Sequence, residues 1–172
     1  MGTLYGLGPD YDIALGAAPA DLSAAATTGL RISMVNVKSV DVVVIKGAGT
    51  AADDPTITLR HHTAASAGTS ADLAVITEYY LRSEATLDND EAWTRVTQAA
   101  AATIIDPGGA GTSAESQQLV VFSVKPSDLP ETSNYISVNI GDVGANAQLG
   151  AVLYIVHKHD KGDPTSFPVP LR

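Results

Sequence analysis

Three short apolar runs in the second half of the chain constrain its fold more than any other feature. They are Leu119–Val124, Tyr135–Ile140 and Leu149–Val156, each rich in Val, Ile, Phe or Tyr and bounded by Pro, Gly, Asn or Asp. Such runs favour strands, and such boundaries favour turns. The second run alternates apolar and polar residues, which predicts a strand with one apolar face. The first is continuously apolar from Leu119 to Phe122, which predicts a strand covered on both sides.

Similar runs precede these three. Val42–Ile45 is β-branched throughout, Thr56–His61 alternates, and Leu73–Leu81 and Ala92–Gln98 carry further strand patterns. For Leu73–Leu81 a short helix is the competing prediction, because its apolar residues also fit a 3.6-residue period. Ser127–Leu129, between two prolines, predicts a single helical turn. About eight strands without a long helix predict an all-β fold, an antiparallel, jelly-roll-like β-sandwich with extended arms at both ends.

The composition along the chain predicts three segments. Residues 1–29 are expected to form an N-terminal arm and an irregular segment, residues 30–160 the sandwich domain, and residues 161–172 an extended Pro-rich C-terminal tail. Ala17–Thr28 is expected to be a loop. A helix could start at Asp21, but the Ala-rich stretch reaches Gly29 within two helical turns. The tail prolines lack the N–H group that strand pairing needs.

Both terminal segments combine large apolar side chains with Gly or Pro, so they carry apolar surface but no element that buries it. The candidate assembly contacts are therefore Leu4, Tyr5, Leu7, Phe167, Val169 and Leu171. We expect them to dock on neighbouring molecules. The alternative is that both arms fold back over their own sandwich.

Charge and composition exclude several classes of function. The chain has 10 basic and 19 acidic residues, a net charge of −9, and no Lys/Arg cluster, which argues against nucleic-acid binding. It contains no cysteine, so disulfides and thiolate metal sites are impossible. No apolar run approaches the roughly 20 residues that span a bilayer, and the N-terminus lacks a signal-peptide pattern, so we expect no membrane partner.

The residues that could carry chemistry favour structural roles. His61 and His62 adjoin, and His157 and His159 would share one strand face, but no defined zinc spacing appears. Asp88–Glu91 has only half of a calcium-loop pattern, so a solvated turn is expected. The glycine-rich segments match no phosphate-binding motif, and no nucleophile motif is present. We therefore expect no enzyme activity, no catalytic residue, no cofactor and no metal.

The order of several short motifs resembles that of a family of virion proteins. The motifs are Lys46-Gly47, Thr56-Ile-Thr-Leu59, Ala92–Gln98, Gln118-Leu-Val-Val121, Val124–Leu129, Asn134–Val138 and Ala147–Ala151. Over about residues 40–158 the chain resembles structural proteins of tailed bacteriophages, closest to capsid decoration (cement) proteins. The resemblance implies a jelly-roll-like sandwich without catalysis that binds the major capsid protein lattice as a homotrimer. It also implies a location on the outer surface of the virion capsid.

Two alternatives remain open. A phage tail or head–tail connector protein would have a similar sandwich but would assemble as a ring of six or twelve. A carbohydrate-binding sandwich would need exposed aromatic side chains on one face, which only Trp93 and the tyrosines could supply. A fold by itself does not choose between these functions.

Overall fold

A computed structural model of the protein describes residues 6–8, 10–109, 111, 113–144 and 146–158. Within these residues the regular secondary structure is all strand apart from one 3-10 turn, and two antiparallel sheets pack against each other. The predicted all-β sandwich is confirmed, whereas its jelly-roll-like arrangement stays a prediction. Eight of the strands have six residues or more.

The strands follow one another along the chain with one 3-10 turn, Pro126–Asp128, between the ninth and tenth. They are β1 (Tyr11–Asp21), β2 (Ile32–Ser33), β3 (Val37–Lys46), β4 (Thr56–His62), β5 (Ser70–Asp72), β6 (Ile76–Glu84), β7 (Thr94–Ala101), β8 (Thr103–Ile105), β9 (Gln117–Val124), β10 (Tyr135–Ile140) and β11 (Leu149–Lys158). The turn confirms the helical turn that the sequence predicts between two prolines.

One sheet has six strands in the order β1-β11-β3-β9-β6-β7. The second has the order β2-β10-β4-β5, and β8 pairs with β4 beside β5. Every strand pair in both sheets is antiparallel. Neighbours are seldom consecutive in sequence, so the sheets are built from long-range pairings.

The core lies between the inner faces of the two sheets. Because side chains alternate along a strand, every second residue of β3, β9 and β11 points inward. The buried residues on these three strands are Val40, Val42, Val44, Val120, Phe122, Val124, Val152, Tyr154 and Val156. They belong to one cluster with Ile57, Leu59, Ile136, Val138 and Ile140 of the second sheet. The sequence predicts seven apolar residues in the core or at a subunit interface: Trp93, Phe122, Tyr135, Ile136, Val138, Leu149 and Tyr154. Of these, Phe122, Ile136, Val138 and Tyr154 are buried, Tyr135 is half-buried, and Trp93 and Leu149 are exposed.

The prediction that Leu119–Phe122 is covered on both sides is wrong. Val120 and Phe122 are buried, but Leu119 and Val121 are only half-buried, since they point away from the second sheet. The same holds for β3, where Val43 is half-buried and Ile45 is exposed. The runs are apolar on both faces although only one face packs on the core.

The loop prediction for Ala17–Thr28 is also wrong in part. Strand β1 extends from Tyr11 to Asp21 and pairs along β11 at the edge of the six-stranded sheet, with irregularities at Leu15, Ala17 and Ala20. Those register shifts hide the period-two pattern from the sequence. The strand prediction for Leu73–Leu81 is confirmed by β6, against the competing helix.

Candidate interaction surface

The outer face of the six-stranded sheet carries a row of apolar side chains. The pairing register places Leu15, Leu153, Val43, Val121 and Tyr80 opposite one another on the successive strands β1, β11, β3, β9 and β6. Leu15 and Tyr80, at the two ends of the row, are 41% and 44% exposed. Directly opposite residues on neighbouring strands lie about 5 Å apart, so the row is continuous.

Further rows flank this one on both sides. Ile13 opposes Ile155 on one side, and Ala151, Ile45 and Leu119 oppose one another on the other. Ile13 and Ile45 are exposed, and the remaining three are half-buried by their neighbours. We call these three rows together the apolar outer face. Exposed apolar patches of this kind mark interaction sites on soluble proteins.

An aromatic residue and an arginine extend the apolar outer face towards β7. The Arg82 guanidinium lies 4.8 Å from the centroid of the Trp93 ring, a cation–π distance. Arg82 is opposite Leu119 of the apolar outer face, and Tyr80 lies two residues away on the same side of β6. Trp93 is 45% exposed. Trp, Tyr and Arg are the residues most enriched where binding energy concentrates.

Two carboxylates on this side of the sheet are bound to neighbouring polar groups. Asp41 contacts the His157 imidazole at 2.7 Å and accepts a hydrogen bond from the Ser123 hydroxyl. Glu78 forms an ion pair with Arg95 on the adjacent strand. Asp41 and Glu78 are therefore compensated, whereas Glu84, on the same side of β6 as Tyr80, is exposed beside other carboxylates. Depletion of uncompensated charge is typical of interface cores.

The outer face of the second sheet is polar by comparison. On β4 the outward residues are Thr56, Thr58 and Arg60, and on β10 they include Asn139 and the buried Ser137. Arg60 forms an ion pair with Asp72 on β5. Within the described residues, the six-stranded sheet is thus the one with an apolar outer side.

Most candidate assembly contacts from the sequence lie outside the described residues. These are Leu4, Tyr5, Phe167, Val169 and Leu171. Leu7 is described; it is exposed and forms a bridge with Tyr11 at the start of β1. The apolar outer face was not predicted from the sequence. It could have been, because β3 and β9 contain runs in which the residues on both faces of the strand are apolar.

The adjacent histidines have separate hydrogen-bond partners. His62 is buried, with Nδ1 at 2.6 Å from the Ser70 hydroxyl and Nε2 at 2.8 Å from the Ser137 hydroxyl. Burial, and then the nearby Arg31 and Arg60 charges, lower the pKa of His62 to about 4. His61 contacts a different serine hydroxyl. With both ring nitrogens of His62 engaged by hydroxyl groups, the pair forms a structural network and offers no open metal site.

The other predicted candidates for metal binding are a second histidine pair and an acidic turn. His157 contacts Asp41, while His159 lies outside the described residues. In the β6–β7 loop, ligand oxygens of Glu84, Asp88, Asp90 and Glu91 lie within 4.8 Å of one another.

Two of those acidic side chains already bind the loop itself. Glu91 accepts the Asp88 main-chain N–H at 2.7 Å, and Asp88 accepts that of Asp90. Desolvation and then the neighbouring carboxylates raise the pKa of Glu84. Oxygen ligands suit Ca²⁺, but Glu84, Asp88 and Asp90 are exposed, so the arrangement is also that of a solvated turn.

A buried lysine holds the loop that follows β3 and the loop that precedes β9. The Lys46 ammonium donates to the carbonyl groups of Ser116 at 2.7 Å, Gly47 at 3.0 Å and Ala114 at 3.2 Å. Burial lowers the pKa of Lys46 to about 8. Gln148 also donates to the Ala114 carbonyl. These contacts fix the loops at one end of the sandwich and give Lys46 a structural role.

Comparisons with protein-family models, with curated proteins and with solved structures find no match for this chain. A separate search of the described residues finds no helix with the length and apolar character to cross a membrane.

Proposed function

We propose that this protein is a non-enzymatic structural protein of a tailed-bacteriophage virion. In this proposal it decorates and stabilises the capsid by binding the lattice of major capsid protein from outside, as a homotrimer. The observation that carries the proposal is the apolar outer face, which gives an acidic chain one surface of contiguous apolar side chains suited to another protein. The motif resemblance over about residues 40–158 supplies the identity of the lattice.

The size and the composition of the apolar outer face both support binding of another protein. The row from Leu15 to Tyr80 crosses five strands, or about 19 Å at a strand spacing of about 4.8 Å. Burying one large apolar side chain contributes about 1.5–3 kcal/mol before ordering costs. Several such side chains can therefore support a specific complex, provided that the partner is also apolar.

Sedimentation with empty phage heads tests the proposal. Leu15→Ser and Tyr80→Ser remove the two exposed ends of the row, and each should weaken co-sedimentation at least about tenfold, as expected for loss of a residue contributing more than 1.4 kcal/mol. The matched controls are Val35→Ser and Ile105→Ser, since both residues are exposed and lie outside the apolar outer face. They should bind as the parent protein does.

Two results would overturn the proposal. Absence of the parent protein from sedimented heads would exclude lattice binding, and equal losses in face and control variants would exclude the apolar outer face. Occupancy in a ring of six or twelve at one vertex would instead identify a tail or connector protein. Melting temperatures of all four variants separate binding defects from unfolding.

A carbohydrate-binding module is a second candidate, favoured by the aromatic pair Tyr80 and Trp93. Both are more than two-fifths exposed and lie on the same side of the six-stranded sheet. Aromatic side chains with exposed faces can stack on sugar rings. Binding of soluble polysaccharides that quenches Trp93 fluorescence, and that Tyr80→Ser abolishes without affecting head binding, would favour this candidate.

A further inference from the structure

The six-stranded sheet splits between β6 and β9. These strands pair from Glu84 opposite Gln117 to Tyr80 opposite Val121. β6 continues to Ile76 with β7 as its remaining partner, and β9 continues with β3 as its remaining partner. Among the described residues, residues 76–79 of β6 and residues 122–124 of β9 therefore have no partner strand on the sides that face each other.

A cleft of about 310 Å³ lies between the two diverging strands. It is lined by Ile76, Thr77 and Glu78 of β6 and by Val121, Phe122 and Ser123 of β9, together with Val75, Tyr80, Lys125 and Asp128. The Asp128 carboxylate accepts a hydrogen bond from the Lys125 main-chain N–H. Val121, Phe122 and Ser123 are consecutive in the regular part of β9, where successive side chains point to opposite faces of the sheet, so a cavity that touches all three lies at the strand edge. The cleft is thus in the plane of the sheet, where main-chain groups of both strands are presented.

We propose that this cleft binds an extended peptide segment of a partner protein as an added strand between β6 and β9. Open strand edges are templates for this mode of recognition, in which main-chain hydrogen bonds hold the peptide and pockets select alternate side chains. β9 extends three residues past the last β6–β9 pair, so about three peptide residues, or about 10 Å, would be held.

The side chains around the cleft define the class of peptide. Ile76 and Phe122 are buried and point towards the core, so the inward residue of the peptide must be apolar. On the outer side, Glu78 is paired with Arg95 and Ser123 with Asp41, so the outward residues meet compensated polar groups. A segment with alternating β-branched and small polar residues fits both sides.

The described part of a second copy offers no obvious occupant. Every strand of three or more residues in the described ranges already has a sheet partner. We assign the occupant to a different protein; residues 1–5 and 159–172 of this chain, which lie outside the described ranges, are the alternative that the competition experiment tests. If the proposed function is right, the occupant is an extended arm of the lattice protein, but insertion of a peptide does not itself depend on that function.

Hydrogen exchange on the free protein tests the insertion. The probe is an acetylated and amidated Thr-Val-Thr-Val-Thr peptide, and its control is the same peptide with N-methylated valines, which keeps the side chains but loses two amide donors. The unmodified peptide should slow exchange of residues 76–79 and 122–124 at least about tenfold and leave residues 11–21 unchanged, because local protection follows the added hydrogen bonds. No slowing at millimolar peptide, or equal slowing by the control, would overturn the proposal.

A second measurement identifies the source of the segment. The chain has no cysteine, so Thr77→Cys introduces a unique thiol at the cleft and Ile105→Cys one on the second sheet, outside the apolar outer face. On heads, Thr77→Cys should be protected from maleimide and Ile105→Cys should react as in the free protein. Competition by peptides matching residues 1–9 or 159–172 of this chain would assign the cleft to the protein's own arms and overturn a partner origin. Peptide binding without head binding would refute the proposed function alone.

Discussion

The Tyr154 hydroxyl accepts a hydrogen bond from the main-chain N–H of Val138 at 3.1 Å. Tyr154 lies on β11 of the six-stranded sheet and Val138 on β10 of the second, so the bond joins the two sheets through the core. The same hydroxyl donates to the Leu30 carbonyl at 3.1 Å. Strand β2 pairs with β10 only at Tyr135 and Ile136, so it does not reach Val138. The Tyr154 hydroxyl therefore accepts the Val138 N–H where β2 provides no main-chain acceptor. Burial raises the pKa of Tyr154, which keeps it a donor.

Tyr154→Phe should lower the free energy of unfolding by about 1–3 kcal/mol. The substitution keeps the aromatic ring but leaves the Val138 N–H and the Leu30 carbonyl without that partner, and a buried unsatisfied group costs about this much. Urea unfolding measures the change. Tyr80→Phe is the control, because Tyr80 is exposed and should change stability little. Equal stabilities of Tyr154→Phe and the parent protein would refute the bridging role.

Protonation of His62 should destabilise the protein in mild acid. The pKa of His62 is about 4 in the folded protein and about 6.5 in the unfolded chain. At a pH between these two values, His62 is protonated in the unfolded chain but neutral in the folded protein, so protons favour unfolding. Stability should therefore fall as pH decreases from about 6.5 to about 4, by up to about 3 kcal/mol. Urea midpoints measured across this range report the slope.

The variant His62→Gln assigns that pH dependence to one side chain. It should be less stable at pH 7, because the Ser70 and Ser137 contacts are altered, but its stability should decline less between pH 6.5 and 4. A His62→Gln slope identical to that of the parent would assign the acid sensitivity to other groups.

Two adjacent valines test the one-sided coverage of β9. Val120 is buried on the inner face and Val121 is half-buried on the outer face. Val120→Ala should cost about 1.5–3 kcal/mol of unfolding free energy, and Val121→Ala clearly less. Phe122→Ala, also on the inner face, should cost about 3–5 kcal/mol. Equal losses for the two valines in the free protein would mean that something covers the outer face.

Metal ions should not change the stability of the protein. Glu84, Asp88 and Asp90 are exposed, and Asp88 and Glu91 already accept main-chain hydrogen bonds. We expect the same melting temperature with a chelator and with millimolar Ca²⁺. A rise with Ca²⁺ that Asp88→Asn abolishes would establish a calcium site in this loop. Asp142→Asn, at an exposed acidic residue in another loop, is the control.

Local features of the fold could be read from the sequence because they depend on neighbouring residues. Alternation along β4 and β10, the 3-10 turn between two prolines and the strand β6 follow from side-chain period and turn chemistry. The pattern of Tyr11–Leu15 allowed a strand, but the rest of the edge strand β1, from Ala17 to Asp21, could not be read, since its irregular pairing with β11 breaks the period that identifies a strand.

The candidate surfaces depended on contacts between distant parts of the chain. The sequence shows that Leu119–Phe122 is apolar, but it does not show whether one or both faces of this strand are packed against other residues. Only the pairing of β9 with β3 and β6, and the packing of one face on the second sheet, left Val121 in an outward row. Likewise the serines that bind His62 are 8 and 75 residues away. Local sequence determined the strands, and tertiary structure decided which side of each strand met solvent, because burial is a property of neighbours in space.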